Sequence, residues 1–165
     1  MNLSVTTAAD EDAPAIASLR TSVAEHLTRR YGRGHWSAEA TEKSVLRGIK
    51  TSRVLVARDG SGIIATLRLA TKKPWAIDRK YFVDVGRPLY LLDMAVEPGL
   101  QGRGVGRRLL EEARTVARAW PADAIRLDAY DSAAGAGSFY ARCGFREVGR
   151  VSYRGVPLVY FELLL

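Results

Sequence analysis

Apolar positions recur along this chain at two spacings, and the switches between them predict most of its elements. Leu3 to Ala8 alternates apolar with polar and reads as a strand. Asp10 or Asp12, followed by Pro14, opens a helix whose apolar stripe is Ile16, Leu19, Val23 and Leu27. Arg29, Arg30 and Gly32 suit its C-terminal end. Ser37, with Glu39 in the first turn, is expected to cap a second helix. Arg53 to Ala57 and Ile63 to Leu69 read as strands around Asp59-Gly60-Ser61-Gly62, a hairpin signal. Lys72 to Pro88 is the least regular stretch, and loops of that length inside a compact domain are commonly functional. Its Trp75, Tyr81 and Phe82 either wall a pocket or simply pack the loop.

Beyond that stretch the periodicity returns. Leu89 to Val96 is a strand, followed by a helical stripe of Val105, Leu109, Leu110, Ala113, Val116, Ala117 and Trp120, which Pro121 stops. Ile125 to Ala129 is another strand, and Gly137 to Cys143 is a short helix ended by Gly144. Arg146 to Tyr153 and Val156 to Leu164 form a closing hairpin around Arg154-Gly155. The order is strand, two helices, two strands, loop, strand, helix, strand, helix, two strands. No repeat or linker interrupts it, so residues 1–165 are expected to form one domain.

Composition narrows the possible functions. With 47% hydrophobic and 26% charged residues the chain can bury a core. No apolar run approaches the ~20 residues a membrane-spanning helix needs. The acidic start, Asp10-Glu11-Asp12, lacks the basic and apolar regions of a secretory signal. Cys143 is the single cysteine, which rules out an intrachain disulfide and a cysteine metal cluster and points to the cytoplasm. His26 and His35 do not make a metal site, and none is expected. The net charge of +7 comes from scattered basic residues rather than a long run, so a polyanionic small ligand accounts for it and nucleic acid is not an expected partner.

The chemistry concentrates after the strand ending at Val96. Gly102, Gly104 and Gly106 let a ligand approach the backbone, and they lie where a helix begins. Helix starts present unpaired N–H groups and partial positive charge, and Arg103, Arg107 and Arg108 add full charges. The segment is thus an anion cradle suited to a phosphate or pyrophosphate. A dinucleotide fingerprint fails, because its third glycine would fall at Arg107 or Leu109. A Walker A loop fails because the loop has no lysine.

What remains is Gln101-x-x-Gly104-x-Gly106 after Met94-Ala95-Val96-Glu97-Pro98. It resembles the acyl-CoA signature of the GNAT superfamily of N-acetyltransferases, (Gln/Arg)-x-x-Gly-x-(Gly/Ala). Downstream, Ser138-Phe139-Tyr140-Ala141-Arg142-Cys143-Gly144-Phe145 resembles that family's Tyr-x-x-x-Gly-Phe segment. The resemblance covers Leu89 to about Val151 well and the first half in element order. It implies an α+β fold: a mixed, mostly antiparallel sheet of six or seven strands with splayed central strands, flanked by about four helices.

The same resemblance implies an acetyl-CoA-dependent N-acetyltransferase acting on a primary amine of a small molecule or peptide in a ternary complex. Amides of Gly102, Arg103, Gly104, Val105, Gly106 and Arg107 would hold the CoA pyrophosphate, with Gln101 bracing the loop. The bulged strand at Met94, Ala95 and Val96 would pair with the pantetheine arm through main-chain groups. Tyr140 is implied as the acid that serves the leaving thiolate. The family's usual Asn contact with the CoA arm falls here on Ala133, with Asp131 or Ser132 as substitutes. Asp93, on the strand beside the thioester, is the first choice for a base or ammonium ligand, with Asp128 its competitor. Cys143 is read as a buried small side chain rather than a nucleophile. A homodimer is common among such proteins. Alternative readings are a non-catalytic acyl-CoA-binding or regulatory module, and a nucleic-acid-directed acetyltransferase.

Overall fold

The computed structural model describes residues 2–165, which form the expected element order. Seven strands make a mixed sheet ordered β1-β2-β3-β4-β5-β7-β6, accompanied by four α-helices. The chain divides into two compact units, Met1–Ala70 with Leu92–Ala113 and Thr71–Leu91 with Arg114–Leu165.

The first unit holds β1 (Ser4–Thr7), α1 (Ala13–Tyr31), α2 (Glu42–Thr51), β2 (Arg53–Asp59) and β3 (Gly62–Ala70). It also holds the end of β4 (Pro88–Val96) and the start of α3 (Val105–Ala119). β2 runs antiparallel to both β1 and β3, with Val56 opposite Thr6 on one side and Thr66 on the other. The core gathers Ala13, Ile16 and Ala17 of α1, Val45 of α2, and Val54 and Val56 of β2. These are apolar positions on the inner faces of two helices and on a strand buried from Val54 to Ala57, closed against each other away from water. Pro14 stands in the first turn of α1, where its missing N–H costs nothing. The Asp12 carboxylate accepts from Ala9 N at 2.9 Å and from Arg58 Nη2 at 2.7 Å, which anchors the entry to α1 on β2.

One boundary differs from the sequence reading. Ser37 does not cap α2; it ends a short 3-10 turn, His35–Ser37, and the chain then runs extended through Ala38. Its hydroxyl accepts from Gly34 N at 3.0 Å and lies 2.7 Å from the Thr28 hydroxyl of α1. A contact from a neighbouring helix has taken the group that would have capped. Thr41 caps instead, accepting from Ser44 N at 3.1 Å, and Glu39 lies ahead of the helix.

The second unit holds the start of β4, the end of α3, β5 (Ala124–Tyr130), α4 (Gly137–Arg142), β6 (Arg146–Tyr153) and β7 (Val156–Leu164). β4 pairs parallel with β5 over Pro88–Tyr90, Leu89 lying opposite Ile125. β7 runs antiparallel to β5 and β6. β7 is buried from Leu158 to Leu163, a run that is apolar or aromatic apart from Glu162. Arg126 of β5 and Glu162 of β7 form an ion pair inside this unit, Nε to Oε2 at 3.1 Å, with both side chains almost fully buried.

The irregular segment before β4 is tied down along its length. Lys73 Nζ donates to the carbonyls of Pro74 at 2.8 Å and Ile77 at 2.6 Å. The Tyr160 hydroxyl donates to the Ala76 carbonyl and accepts from Asp78 N at 3.2 Å. Val83 is held from both sides, its N–H by Glu162 Oε1 at 3.2 Å and its carbonyl by Arg126 Nη2 at 2.5 Å. The three aromatic residues therefore divide: Phe82 is buried against Tyr160, Tyr81 meets the Tyr160 ring edge-on, and Trp75 stands in solvent. Among the described residues no helix is long and apolar enough to cross a membrane.

Candidate functional site

In the first unit, β4 does not run straight to its end. Asp93 has φ 57°, a left-handed conformation that most side chains avoid and Asp tolerates. It falls one residue before Met94, immediately ahead of the Met94–Val96 stretch expected to offer main-chain groups to a ligand. Ala95 is buried, while Met94 and Val96 are half-buried. The strand hands over to a 3-10 turn, Pro98–Leu100, after the Glu97 N–H donates to the Ile64 carbonyl at 2.8 Å.

Gln101 closes that turn. Its Nε2 donates to the Val96 carbonyl at 3.1 Å, spanning the turn and fixing the strand end to the start of the loop. Gly102 and Gly104 then sit at φ 77° and 85°, a region glycine enters without a Cβ penalty. Nothing lies within 4 Å of where a Cβ would stand at either, so their requirement is conformational rather than steric. The first helical bond of α3 runs from Arg108 N to the Gly104 carbonyl at 3.0 Å. The amides of Val105 and Gly106 precede that bond and have no acceptor one turn back within the helix. Arg103, Arg107 and Arg108 are exposed around them. Partial and full positive charge thus converge on one short loop, an arrangement suited to an anion.

The Asp93 side chain has company that the sequence did not signal. Its Oδ1 lies 3.2 Å from Arg20 Nη2, and its Oδ2 accepts from Arg68 Nε at 3.0 Å. Arg20 comes from α1 and Arg68 from β3, so the cluster joins positions 73 and 25 residues from Asp93. No local pattern reports such a pairing.

The second unit contributes the other candidates. Tyr140 of α4 is buried, its ring 5.7 Å from that of Phe145 and 6.1 Å from that of Phe161. Burial drives its hydroxyl well above the ordinary phenol range, and the charges of Asp128 and Cys143 push the same way. Asp128 of β5 is itself raised by burial. The Asp128 charge also raises Tyr130 and Tyr160, in each case after burial. Asp128 therefore lies within the field of three tyrosines in this unit. Cys143, expected buried, is half-buried at the end of α4.

Ser132 and Asp131 lie in the turn after β5. The Ser132 carbonyl accepts from Gly135 N at 2.9 Å, and the Asp131 carboxylate accepts from exposed Arg150 at 3.0 Å. Gly135 lies so near the Tyr130 carbonyl that a Cβ there would be 1.8 Å from the oxygen, which explains the glycine in this run. Among the described residues no group of three His, Cys, Asp or Glu side chains could hold a metal ion.

Comparison with known proteins adds three findings. The family model described as Acetyltransferase (GNAT) domain matches residues 50–147. Glucosamine 6-phosphate N-acetyltransferase 1 of Oryza sativa subsp. japonica is 33% identical over 94 residues, 57% of this chain and 53% of that protein. The match thus spans about half the length of the rice protein. Among solved structures, the PaiA N-acetyltransferase of Thermoplasma acidophilum in complex with coenzyme A superposes with a TM-score of 0.77 at 15% identity, covering all of both chains. The yncA protein of Salmonella typhimurium, solved with its cofactor acetyl-CoA, gives 0.73 at 17% identity, covering 99% of this chain and 94% of that one.

Proposed function

This chain belongs to the GNAT acetyltransferase family, and from that membership we propose that it transfers the acetyl group of acetyl-CoA to a primary amine of a small molecule or peptide. In this reading residues 1–165 act as one acetyltransferase domain. The observation that carries it is the loop Gln101–Arg107: two glycines at φ 77° and 85°, a glutamine brace back to Val96, and a helix start rimmed with arginines. The CoA pyrophosphate is assigned to amides of Gly102 to Arg107. The pantetheine arm is assigned to main-chain groups at Met94, Ala95 and Val96, with Ser132 as an additional contact.

The chemistry follows from proton requirements. An alkyl amine with a pKa of ~10 is mostly protonated at neutral pH and must lose a proton before it attacks the thioester carbon. The amine nitrogen then bonds to that carbon, and the carbon–sulfur bond breaks with its electrons on sulfur. A carboxyl group raised by burial is a better proton acceptor than an ordinary one, which supports Asp128 for this role. The sequence favours Asp93 for that role. Both of its oxygens already face guanidiniums, which suits it to orienting the acceptor side.

Tyr140 is assigned to the leaving sulfur. A hydroxyl raised above ~10 keeps its proton, and full transfer to a thiolate of pKa ~8.5 is uphill. Its contribution is then a hydrogen bond to developing negative charge rather than complete proton transfer. A cytoplasmic setting and a homodimer belong to the same proposal, supported by the single Cys143 and by the family resemblance respectively.

The test measures free thiol released from acetyl-CoA, with and without a panel of amines, for the wild type and Tyr140→Phe. Amine-dependent release that drops at least ~10-fold in the variant, with CoA affinity retained, supports the reading. Tight CoA binding with no release for any amine would instead make the chain a binding module.

A further inference from the structure

We propose that the amine acceptor carries an anionic group, a carboxylate or a phosphate, which is held by Arg20, Arg47 and Arg68. The inference rests on the acetyl-transfer reading above and names the acceptor class for it. The first unit contains a cavity of about 180 Å³ lined by residues of α1, α2, β2, β3 and β4. That is smaller than the ~300 Å³ at which whole small-molecule sites begin, so it suits one head group of a ligand rather than a complete one.

Its charges do not balance. Three guanidiniums, those of Arg20, Arg47 and Arg68, line it against the single carboxylate of Asp93. Asp93 engages Arg20 and Arg68 at 3.2 and 3.0 Å. Arg47, in contrast, forms no ion pair among the described residues. A planar guanidinium presents paired donors matched to the oxygens of carboxylate or phosphate. Two surplus positive charges around a small cavity select an anion and reject a second ammonium.

Two of the three arginines are held in place by Asp93, while Arg47 stands exposed on α2. Arg68 lies across α2 at Gly48, where an added Cβ would stand 3.0 Å from its Cδ. Its Nη1 is 3.5 Å from the Ser52 hydroxyl, and its Nε is fixed by Asp93. Gly48 leaves the room that Arg68 occupies. The cavity is lined by Asp93, which directly precedes Met94, where the CoA arm is assigned. On that assignment, an acceptor anchored here by its anionic end would direct its amine toward the main chain at Met94. Asp93 is then a positioning residue: it sets the two arginines that grip the acceptor.

The experiment compares matched acceptors: alanine with alaninamide, phosphoethanolamine with ethanolamine, and glucosamine 6-phosphate with glucosamine. Acetyl transfer by the wild type and Arg47→Met is followed by thiol release. Direct titration of the same six compounds onto both proteins is followed by NMR. The inference expects the anionic member of at least one pair to have a kcat/KM ten-fold or more above its partner. It also expects that ratio to collapse at least five-fold in Arg47→Met through KM. The carboxylate and phosphate pairs separate the two sources of the anion. Equal or better use of the neutral members, or a ratio unchanged in Arg47→Met, overturns the inference while leaving acetyl transfer standing. If no amine is acetylated, the acetyl-transfer reading falls, and the titrations decide the pocket alone. Tighter binding of the anionic members, weakened in Arg47→Met, upholds the anion site, and its absence removes it.

Discussion

The ring of Tyr81 occupies the place where a side chain on residue 149 would stand. A Cβ built on Gly149 falls 2.3 Å from Tyr81 Cδ1, well inside contact distance. Gly149 sits at a register shift of β6 against β7, and Tyr81 also meets the Tyr160 ring edge-on at 5.4 Å. The segment before β4 is thus seated on the closing hairpin of its own unit. Gly149→Ala should destabilise by about 1–3 kcal/mol through overpacking. Urea unfolding checks this, and the double variant with Tyr81→Ala should cost less than the sum of the two single changes.

A second prediction concerns Arg126 and Glu162. The pair is buried, and both partners also hold Val83. Arg126→Met leaves a buried carboxylate uncompensated, which should cost about 3–5 kcal/mol. Replacing both with apolar residues, Arg126→Met with Glu162→Leu, should recover most of that loss in the same unfolding experiment.

The loop at Gln101–Arg107 makes its own demand on backbone conformation. Gly104→Ala should cost about 1–2 kcal/mol, because an L side chain pays that for a left-handed φ, while Gly104→Asn should cost less. Gln101→Ala removes a single exposed hydrogen bond and should leave stability within about 0.5 kcal/mol. It should nevertheless weaken CoA binding several-fold by releasing the loop. Thermal melts and calorimetric titration with CoA separate the two effects.

Asp128 makes the stability of the fold depend on pH. Burial raises its folded pKa above the unfolded value of ~3.9. The favourable contribution is therefore present below ~3.9 and is lost as pH climbs through the raised folded value. Asp128→Asn should raise Tm at pH 7 and leave it nearly unchanged at pH 4. If Asp128 accepts the amine proton, the same variant should lose about 10²-fold or more in kcat and abolish the acid limb of the kcat/KM profile.

The elements of this chain were legible because each is recorded locally. The stripe of α1, the hairpin turn at Asp59–Gly62 and the spacing of Gly102, Gly104 and Gly106 are all properties of neighbouring residues. The start of α2 was misread for the opposite reason. Ser37 has the chemistry of a cap, but Thr28 and Gly34 engage its hydroxyl, and Thr28 belongs to another element.

By itself, then, the amino-acid order determined the strands and most of the helix bounds, the glycine-rich loop and the family to which they belong, since these depend on side-chain period and on where glycine relieves the backbone. Only the tertiary structure decided which charges meet. Arg20 and Arg68 converge on Asp93, Arg126 finds Glu162, and burial raises Asp128 and Tyr140. Electrostatic partners are chosen by distance and desolvation in space, and neither quantity is written in the spacing of residues along a chain.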